Sequence, residues 1–357
     1  MKIIFFYMLI LLNTCCFSKI HEKVVIGGIC KNIGKELPFT IKNIEKIGDL
    51  FDDYRVVIYE NNSKDQTKRG LVNWSKRNPK VFVQSEKLSI DDILNHCISV
   101  QLDSGSFARC ENLARARNIV LQSVLHESYD NFNYFIMMDL DFDYLIPMDG
   151  IIDSFNLKND WDVCFADGIR YGTHCNGANY NGAHYDLYTL LAKDFPMGPQ
   201  FLGDCFWDNL TFDQHYDIQG SLTPVCSAFG GLGIYKKEIL KNKRYSGHVT
   251  EDLETWALKF FNENSNHPKV QQYFNKNKEL QYTFSLKEDR FKTISSGLAK
   301  SAGFFFNDYG EKTIFFRINC NEGPYPTCCE HVPLNISLYN QGYKLVVNPK
   351  MKLIYTH

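Results

Sequence analysis

The chain has 357 residues, 44% hydrophobic and 22% charged, with a formal net charge of −2. That balance excludes a disordered chain. With no Lys/Arg cluster longer than a few residues it also argues against nucleic acid as a partner, because phosphate backbones are gripped by concentrated cations. The length allows one large core or two modest ones, and 27 Phe and 20 Tyr supply a Phe-rich core first and sugar-stacking faces second.

Lys2 is followed by ten uninterrupted apolar residues, Ile3 to Leu12. This run is shorter than the roughly 20 residues that span a bilayer as a helix. It reads as a signal peptide cleaved near Ser18, or, extended through Cys15, Cys16 and Phe17, as a short signal anchor. Either reading sends the chain into the secretory route (ER/Golgi lumen or secreted), with membrane association only through this segment. Removing Cys15 and Cys16 from 12 cysteines leaves an even ten. In an oxidising compartment these are expected to form structural disulfides; no Cys-x-x-Cys spacing points to zinc. Sequons at Asn61, Asn73, Asn209 and Asn335 permit N-glycosylation.

Val24-Val25-Ile26-Gly27-Gly28-Ile29-Cys30 reads as a buried strand whose glycines admit a ligand. A helix from Pro38 carries Phe39, Ile41, Ile44 and Ile47 on one side. Arg55 to Tyr59 is a second strand, ending in the turn-rich run Glu60-Asn61-Asn62-Ser63-Lys64-Asp65. Leu71, Val72 and Trp74 suggest another helix, and Val81-Phe82-Val83 a third strand. Leu113 to Glu127 has its apolar residues on one helical face, and Tyr134 to Met138 is a buried strand running into Asp139. Strands alternating with helices imply an open α/β sheet, in which ligands sit outside the carboxyl ends of the strands. Residues 168–222 read as long loops over a cleft; 262–300 is polar and unplaced. Strand Thr313–Ile318, helix Val332–Asn340 and strand Lys344–Val347 follow. With no repeat or linker, residues 19–357 read as one catalytic domain after a leader of 1–18, with a first half at about 22–150 and a second at about 151–357.

Met138-Asp139-Leu140-Asp141-Phe142-Asp143 is the most chemical stretch. Carboxylates directly after a buried strand need a partner or a cation, and two of them can hold a divalent ion that keeps open positions for phosphate oxygens. A calcium-loop reading fails: Tyr144 stands where the sharp turn needs Gly, and Gly150 where a closing Glu belongs. A dinucleotide fold fails too, since Cys30, Lys31 and Asn32 interrupt the glycine pattern.

Tyr59-Glu60-Asn61-Asn62-Ser63-Lys64-Asp65-Gln66-Thr67 resembles the nucleotide-binding run of GT-A-fold glycosyltransferases with an Asp-x-Asp motif, of the family 2 kind. Ala114-Arg115-Ala116-Arg117-Asn118 resembles that family's Ala-Arg-Asn helix. Cys329-Glu330-His331-Val332-Pro333-Leu334 with Gly342-Tyr343-Lys344 resembles its acceptor segment. The resemblance implies a GT-A mixed open sheet flanked by helices. It also implies Mn2+- or Mg2+-dependent transfer of a sugar from a nucleotide-sugar donor to a glycan or glycoprotein acceptor, as by a hexosyltransferase. Residue by residue, Gly27, Glu60 and Asp65 would hold base and ribose, and Arg117 the diphosphate unless it simply pairs with an acid. Asp139 and Asp141 would meet ribose and metal, with His357 as a further ligand, and Gly230 and Gly231 would line the donor sugar. The family's Glu-Asp pair is here Glu330-His331, so the base falls to Glu330 or His331, with Asp252 of Glu251-Asp252 as the alternative. A rival reading is a disulfide-bonded carbohydrate-binding protein that kept the fold without turnover. A metal hydrolase has less support, as no His-x-His spacing occurs.

Overall fold

The computed structural model describes residues 19–89, 105–173, 179–192, 220–247, 250–264, 266–268, 271, 302–306, 312–316 and 328–355. The leader, His357, the Asn209 sequon and five further cysteines (Cys15, Cys16, Cys97, Cys205 and Cys320) lie outside them, as do Cys175 and most of 262–300.

The first half alternates as expected. β1 (Ile20–Cys30), α1 (Leu37–Asp49), β2 (Phe51–Asn61), α2 (Thr67–Arg77), β3 (Val81–Glu86), α3 (Gly105–Val124) and β4 (Tyr134–Met138) follow one another. α3 starts earlier and stops sooner than the apolar spacing implies: Glu127–Tyr129 is a separate 3-10 turn, opened by His126 accepting from the Ser128 amide. Then come α4 (Asp149–Asn156), β5 (Val163–Thr173), β6 (Asn179–His184), β7 (Thr223–Pro224), β8 (Leu232–Lys236), α5 (Glu251–Glu263), β9 (Ala302–Phe306), β10 (Lys312–Phe316), α6 (His331–Asn340) and β11 (Leu345–Tyr355).

Among the described residues, nine strands form one sheet in the order β3-β2-β1-β4-β8-β5-β11-β7, with β6 on β5. β3, β2, β1 and β4 run parallel; β8 runs antiparallel between β4 and β5, and β11 is parallel to β5. This is the mixed open α/β sheet with flanking helices expected from the sequence. β9 and β10 pair separately, so the strand expected at Thr313 stands off the main sheet.

Both faces of the sheet are covered, which is why its central strands read as unbroken apolar runs. Successive side chains alternate faces. Val24, Ile26, Val56, Ile58 and Ile136 therefore pack under α1, α2 and α4 with Ile44, Ile47, Leu71, Trp74 and Phe155. Val25, Val57, Phe135 and Met137 pack under α3 and α6 with Val120, Leu121, Leu334 and Leu338.

Two expectations are corrected here. Cys164 is not disulfide-bonded: it is a fully buried thiol bonded to Ser154 Oγ at 3.4 Å. Burial pushes its pKa up to about 12, so it acts as a small apolar core residue; Cys30 and Cys328 are likewise buried thiols. Asn335 is no glycan acceptor, because its amide is wholly buried and donates to Ala228 O at 2.8 Å and Ser227 Oγ at 3.1 Å.

Candidate active site

β4 delivers the acidic motif to the carboxyl end of the sheet. The Asp139 amide still donates to Gly231 O at 2.9 Å, which prolongs the β4–β8 ladder by one residue. Beyond it the side chains alternate. Leu140 and Phe142 are buried, while Asp139 and Asp141 line a cleft. Two buried polar residues of α1 hold this loop. Thr40 Oγ1 donates to Leu140 O at 2.5 Å, and Asn43 donates to Tyr144 O at 2.8 Å while accepting from the Ile146 amide at 2.9 Å. Polar residues on the buried face of an amphipathic helix were the only sequence signal for this support.

The cleft gathers residues from six places in the chain. Its chemical groups are Lys31, Arg117, Asp139, Asp141, Asp186, Glu330 and His331, with Phe229 and Tyr185 as aromatic walls. Arg117 is buried. Its Nε donates to Glu330 Oε1 at 2.9 Å and its Nη2 approaches Asp139 Oδ1 at 3.4 Å, while Nη1 has no protein partner. Burial works against this cation, but the charges of Glu330 and Asp139 outweigh it and hold its pKa above the usual value. Asp139 Oδ2 accepts from Tyr355 at 3.3 Å. Burial pushes the Asp139 carboxyl up to about 7; Arg117 opposes that shift and Asp141 adds to it.

His331 opens α6. Its ring stacks on Phe229 at 3.7 Å and meets Tyr245 edge-on at 5.4 Å. Both ring nitrogens are out of solvent and make no hydrogen bond, Nε2 lying 3.7 Å from Glu330 Oε1. Burial, then the Arg117 charge, hold its pKa well below the usual value, so the ring is neutral.

Beside this cleft lies a second cavity. The two share Ile29, Cys30, Lys31 and Leu113, and the second continues to Tyr59, Asn61, Leu88, Asn112 and Arg115. The Ala-Arg-Ala-Arg run of α3 thus serves both: Arg117 reaches the acidic cleft, and Arg115, two residues earlier and on another side of the helix, reaches its neighbour. Arg115 donates to Tyr59 Oη and Glu86 Oε2, each at 2.8 Å. Asn112 Oδ1 is buried there without a partner.

Other expected site residues lie elsewhere. Glu60 is 1% exposed; its oxygens accept from the Ser63 amide at 2.8 Å and Ser85 Oγ at 2.5 Å, so it shapes the turn after β2. Asp65 accepts from the Gly34 and Thr67 amides at 2.8 and 3.0 Å. Its hydrogen bonds, that from the Thr67 side chain foremost, hold its carboxyl below the usual range. Asn61, between them in the run, is the residue at the cavity wall. Gly27 lies inside β1, where a Cβ would sit 2.6 Å from Val120 Cγ1; it admits α3, not a ligand. Gly230 and Gly231 adopt φ +59° and +89°, and a Cβ on Gly231 would fall 1.7 Å from the Tyr355 hydroxyl. They let β11 approach under Asp139. Asp252 is exposed on the first turn of α5, outside the cleft lining. Tyr355, Tyr185 and Asp186 were missed, because only tertiary pairing of β5, β6 and β11 brings them beside Asp139.

Four carboxylates (Asp139, Asp141, Asp186, Glu330) face Arg117 and Lys31 in the cleft. That surplus of negative charge, all from oxygen ligands, suits a hard divalent cation such as Mn2+ or Mg2+. Among the described residues no three His, Cys, Asp or Glu converge on one ion position.

No family model matches the chain, and no curated protein matches it. Solved structures of TarS and of a mannosyltransferase are similar to it. S. aureus TarS residues 1–349 shares 15% identity at a TM-score of 0.33, covering 67% of this chain and 55% of that one. Its complex with UDP gives 15% identity, a TM-score of 0.32, and coverage of 71% and 54%. The mannosyltransferase PcManGT from Pyrobaculum calidifontis, in complex with GDP-Man and Mn2+, gives 13% identity, a TM-score of 0.33, and coverage of 66% and 52%. The chain spans about half the length of the structures it matches, and so loose an overlap leaves function to the cleft itself.

Proposed function

We propose that this chain transfers a sugar from a nucleotide-sugar donor to a hydroxyl acceptor with the help of a divalent cation, in the manner of GT-A glycosyltransferases. The observation that carries the reading is the joining of two unlike cavities at the carboxyl ends of β1, β2 and β4. The cavity between Ile29, Leu88, Leu113 and Ala116, with Tyr59 and Asn61 in its wall, suits a nucleobase. Its acidic neighbour suits a cation and the diphosphate that follows it.

In this reading Asp141, exposed and unpaired, and Asp139 hold Mn2+ or Mg2+; the ion, when bound, neutralises charge on the departing nucleoside diphosphate. Arg117 keeps Glu330 and Asp139 in place and sets a positive charge in the wall of the cleft that the diphosphate would enter. Tyr355 and the Gly231 carbonyl fix Asp139 from the other side, so the charges aimed at the leaving group are oriented before substrate arrives. The apolar run Ile3–Leu12 supports an acceptor in the secretory route, a glycan or glycoprotein.

Thermal shift with UDP-glucose, UDP-galactose, UDP-N-acetylglucosamine and GDP-mannose tests the reading, each with and without Mn2+. At least one donor is expected to stabilise the protein, more so with Mn2+, and to lose that metal dependence in Asp141→Ala. A folded protein indifferent to all four donors and to UDP and GDP overturns it.

A further inference from the structure

Three groups of the cleft that carry a basic atom are poorly placed to accept a proton from an acceptor hydroxyl. Glu330 is committed to Arg117 at 2.9 Å. His331 has both ring nitrogens shut away from solvent between Phe229 and Tyr245. Asp139 is held by Arg117 and Tyr355. Asp186 differs from all three. It lines the same cleft and is only partly buried, and it feels the Arg117 charge without a direct ion pair among the described residues. It does not join Asp139 and Asp141 in a shared ion site.

Asp186 is also held firmly. Its backbone is left-handed, φ +65°, a conformation uncommon outside Gly but several-fold enriched in Asn and Asp. Its carbonyl accepts from the Thr189 amide at 2.9 Å and Thr189 Oγ1 at 2.8 Å. The preceding Tyr185 donates its amide to Gly168 O at 2.7 Å and stacks on Tyr355 with ring centroids 3.4 Å apart. Tyr355 is the residue that touches Asp139. A carboxylate on a left-handed turn whose backbone is fixed by Thr189 and Tyr185, at the wall of a reaction cleft, is what preorganised catalysis requires.

We infer that Asp186 is the catalytic base of the transfer, an inference that rests on the glycosyltransferase reading. The acceptor O–H gives its proton to the Asp186 carboxylate, and the acceptor oxygen bonds to the anomeric carbon. The bond from that carbon to the diphosphate oxygen breaks, and its electron pair leaves with the nucleoside diphosphate. One displacement of this kind inverts the anomeric configuration.

The test compares wild type with Asp186→Asn, a change that keeps the left-handed turn favourable, using the donor found by thermal shift, Mn2+ and p-nitrophenyl hexosides as acceptors. The variant is expected to bind the donor within about threefold of wild type and to lose transfer by roughly a hundredfold or more. Sodium azide, a nucleophile with no proton to lose, is expected to restore turnover as glycosyl azide. Asp186→Glu, which keeps the carboxylate, is expected to retain more transfer than the Asn variant. Transfer above a tenth of wild type in Asp186→Asn, a product of retained configuration, or failure of azide to restore turnover in a donor-binding variant overturns the role of Asp186 while glycosyl transfer stands. A wild type that binds no donor removes the glycosyl-transfer reading, and this inference with it.

Discussion

The loop after β2 and the loop after β4 both carry acidic motifs at the carboxyl end of the same sheet, yet they end in opposite states. In the first, Glu60 is buried with its oxygens engaged by Ser63 and Ser85, and Asp65, although exposed, is turned toward the Gly34 and Thr67 amides. Asn32 completes the interlock, accepting from the Lys64 amide at 2.7 Å and donating its own amide to Ser63 Oγ at 3.0 Å. In the second, Asp139 and Asp141 share a cleft with Asp186 and Glu330, and acids outnumber cations. A carboxylate whose lone pairs are satisfied internally is scaffold, and one left with surplus charge is available for chemistry. The same residue type does either job, according to what the fold sets beside it.

The largest expected effect strikes the junction of the acidic cleft. Arg117→Ala leaves Glu330 and Asp139 buried without their cation and is expected to cost about 3–5 kcal/mol in urea unfolding. A loss below 1 kcal/mol would mean that the acids are balanced some other way. Next, Asp141→Ala removes an exposed carboxylate, so stability is expected to hold within about 0.5 kcal/mol while sugar transfer falls on the order of 100-fold or more. Equal losses in both would return Asp141 to the scaffold class. Asp65→Ala should do the reverse: about 1 kcal/mol of stability lost, as for other side chains that cap backbone amides, with donor affinity nearly unchanged. A tenfold loss of donor affinity at constant stability would erase the contrast between the two loops.

The smallest effect is a control far from either loop. Asp53 accepts from Arg55 at 2.8 Å and Lys80 at 3.0 Å. Burial works against its charge, but these cations, Lys80 first, win and lower its pKa from 3.8. Its contribution is therefore present above the unfolded-state pKa and lost as pH falls through the lower folded value. Asp53→Asn is expected to cost about 0.5 kcal/mol at pH 7, with the deficit closing below pH ~3. A deficit that persists in acid would show that the side chain matters through packing.

Much of the frame was legible in the chain. The apolar runs at Val24–Ile26, Val56–Ile58 and Tyr134–Met138 mark central strands because a parallel sheet covered on both faces needs no polar alternation. Asp139 and Asp141 stand out because acids following such a run have to find a cation. Glu330, His331 and Arg117 were also picked out, and they meet in the cleft. Glu60 and Asp65 misled, since motif spacing cannot say whether a carboxylate's acceptors are already filled. Gly27 misled because a glycine that admits a ligand and one that admits Val120 look alike in one dimension.

What the sequence by itself determined is the alternation of elements and the place where acid follows a buried strand, since both depend on near neighbours and on side-chain period. Only the tertiary structure decided that Asp186, from the turn after β6, and Tyr355, at the end of β11, stand beside Asp139. Those approaches depend on the order of strands in the sheet and on the close passage of β11 under Gly231, and no local propensity encodes either. The charge surplus that marks the cleft belongs to that assembly, because it is a property of which residues are brought together.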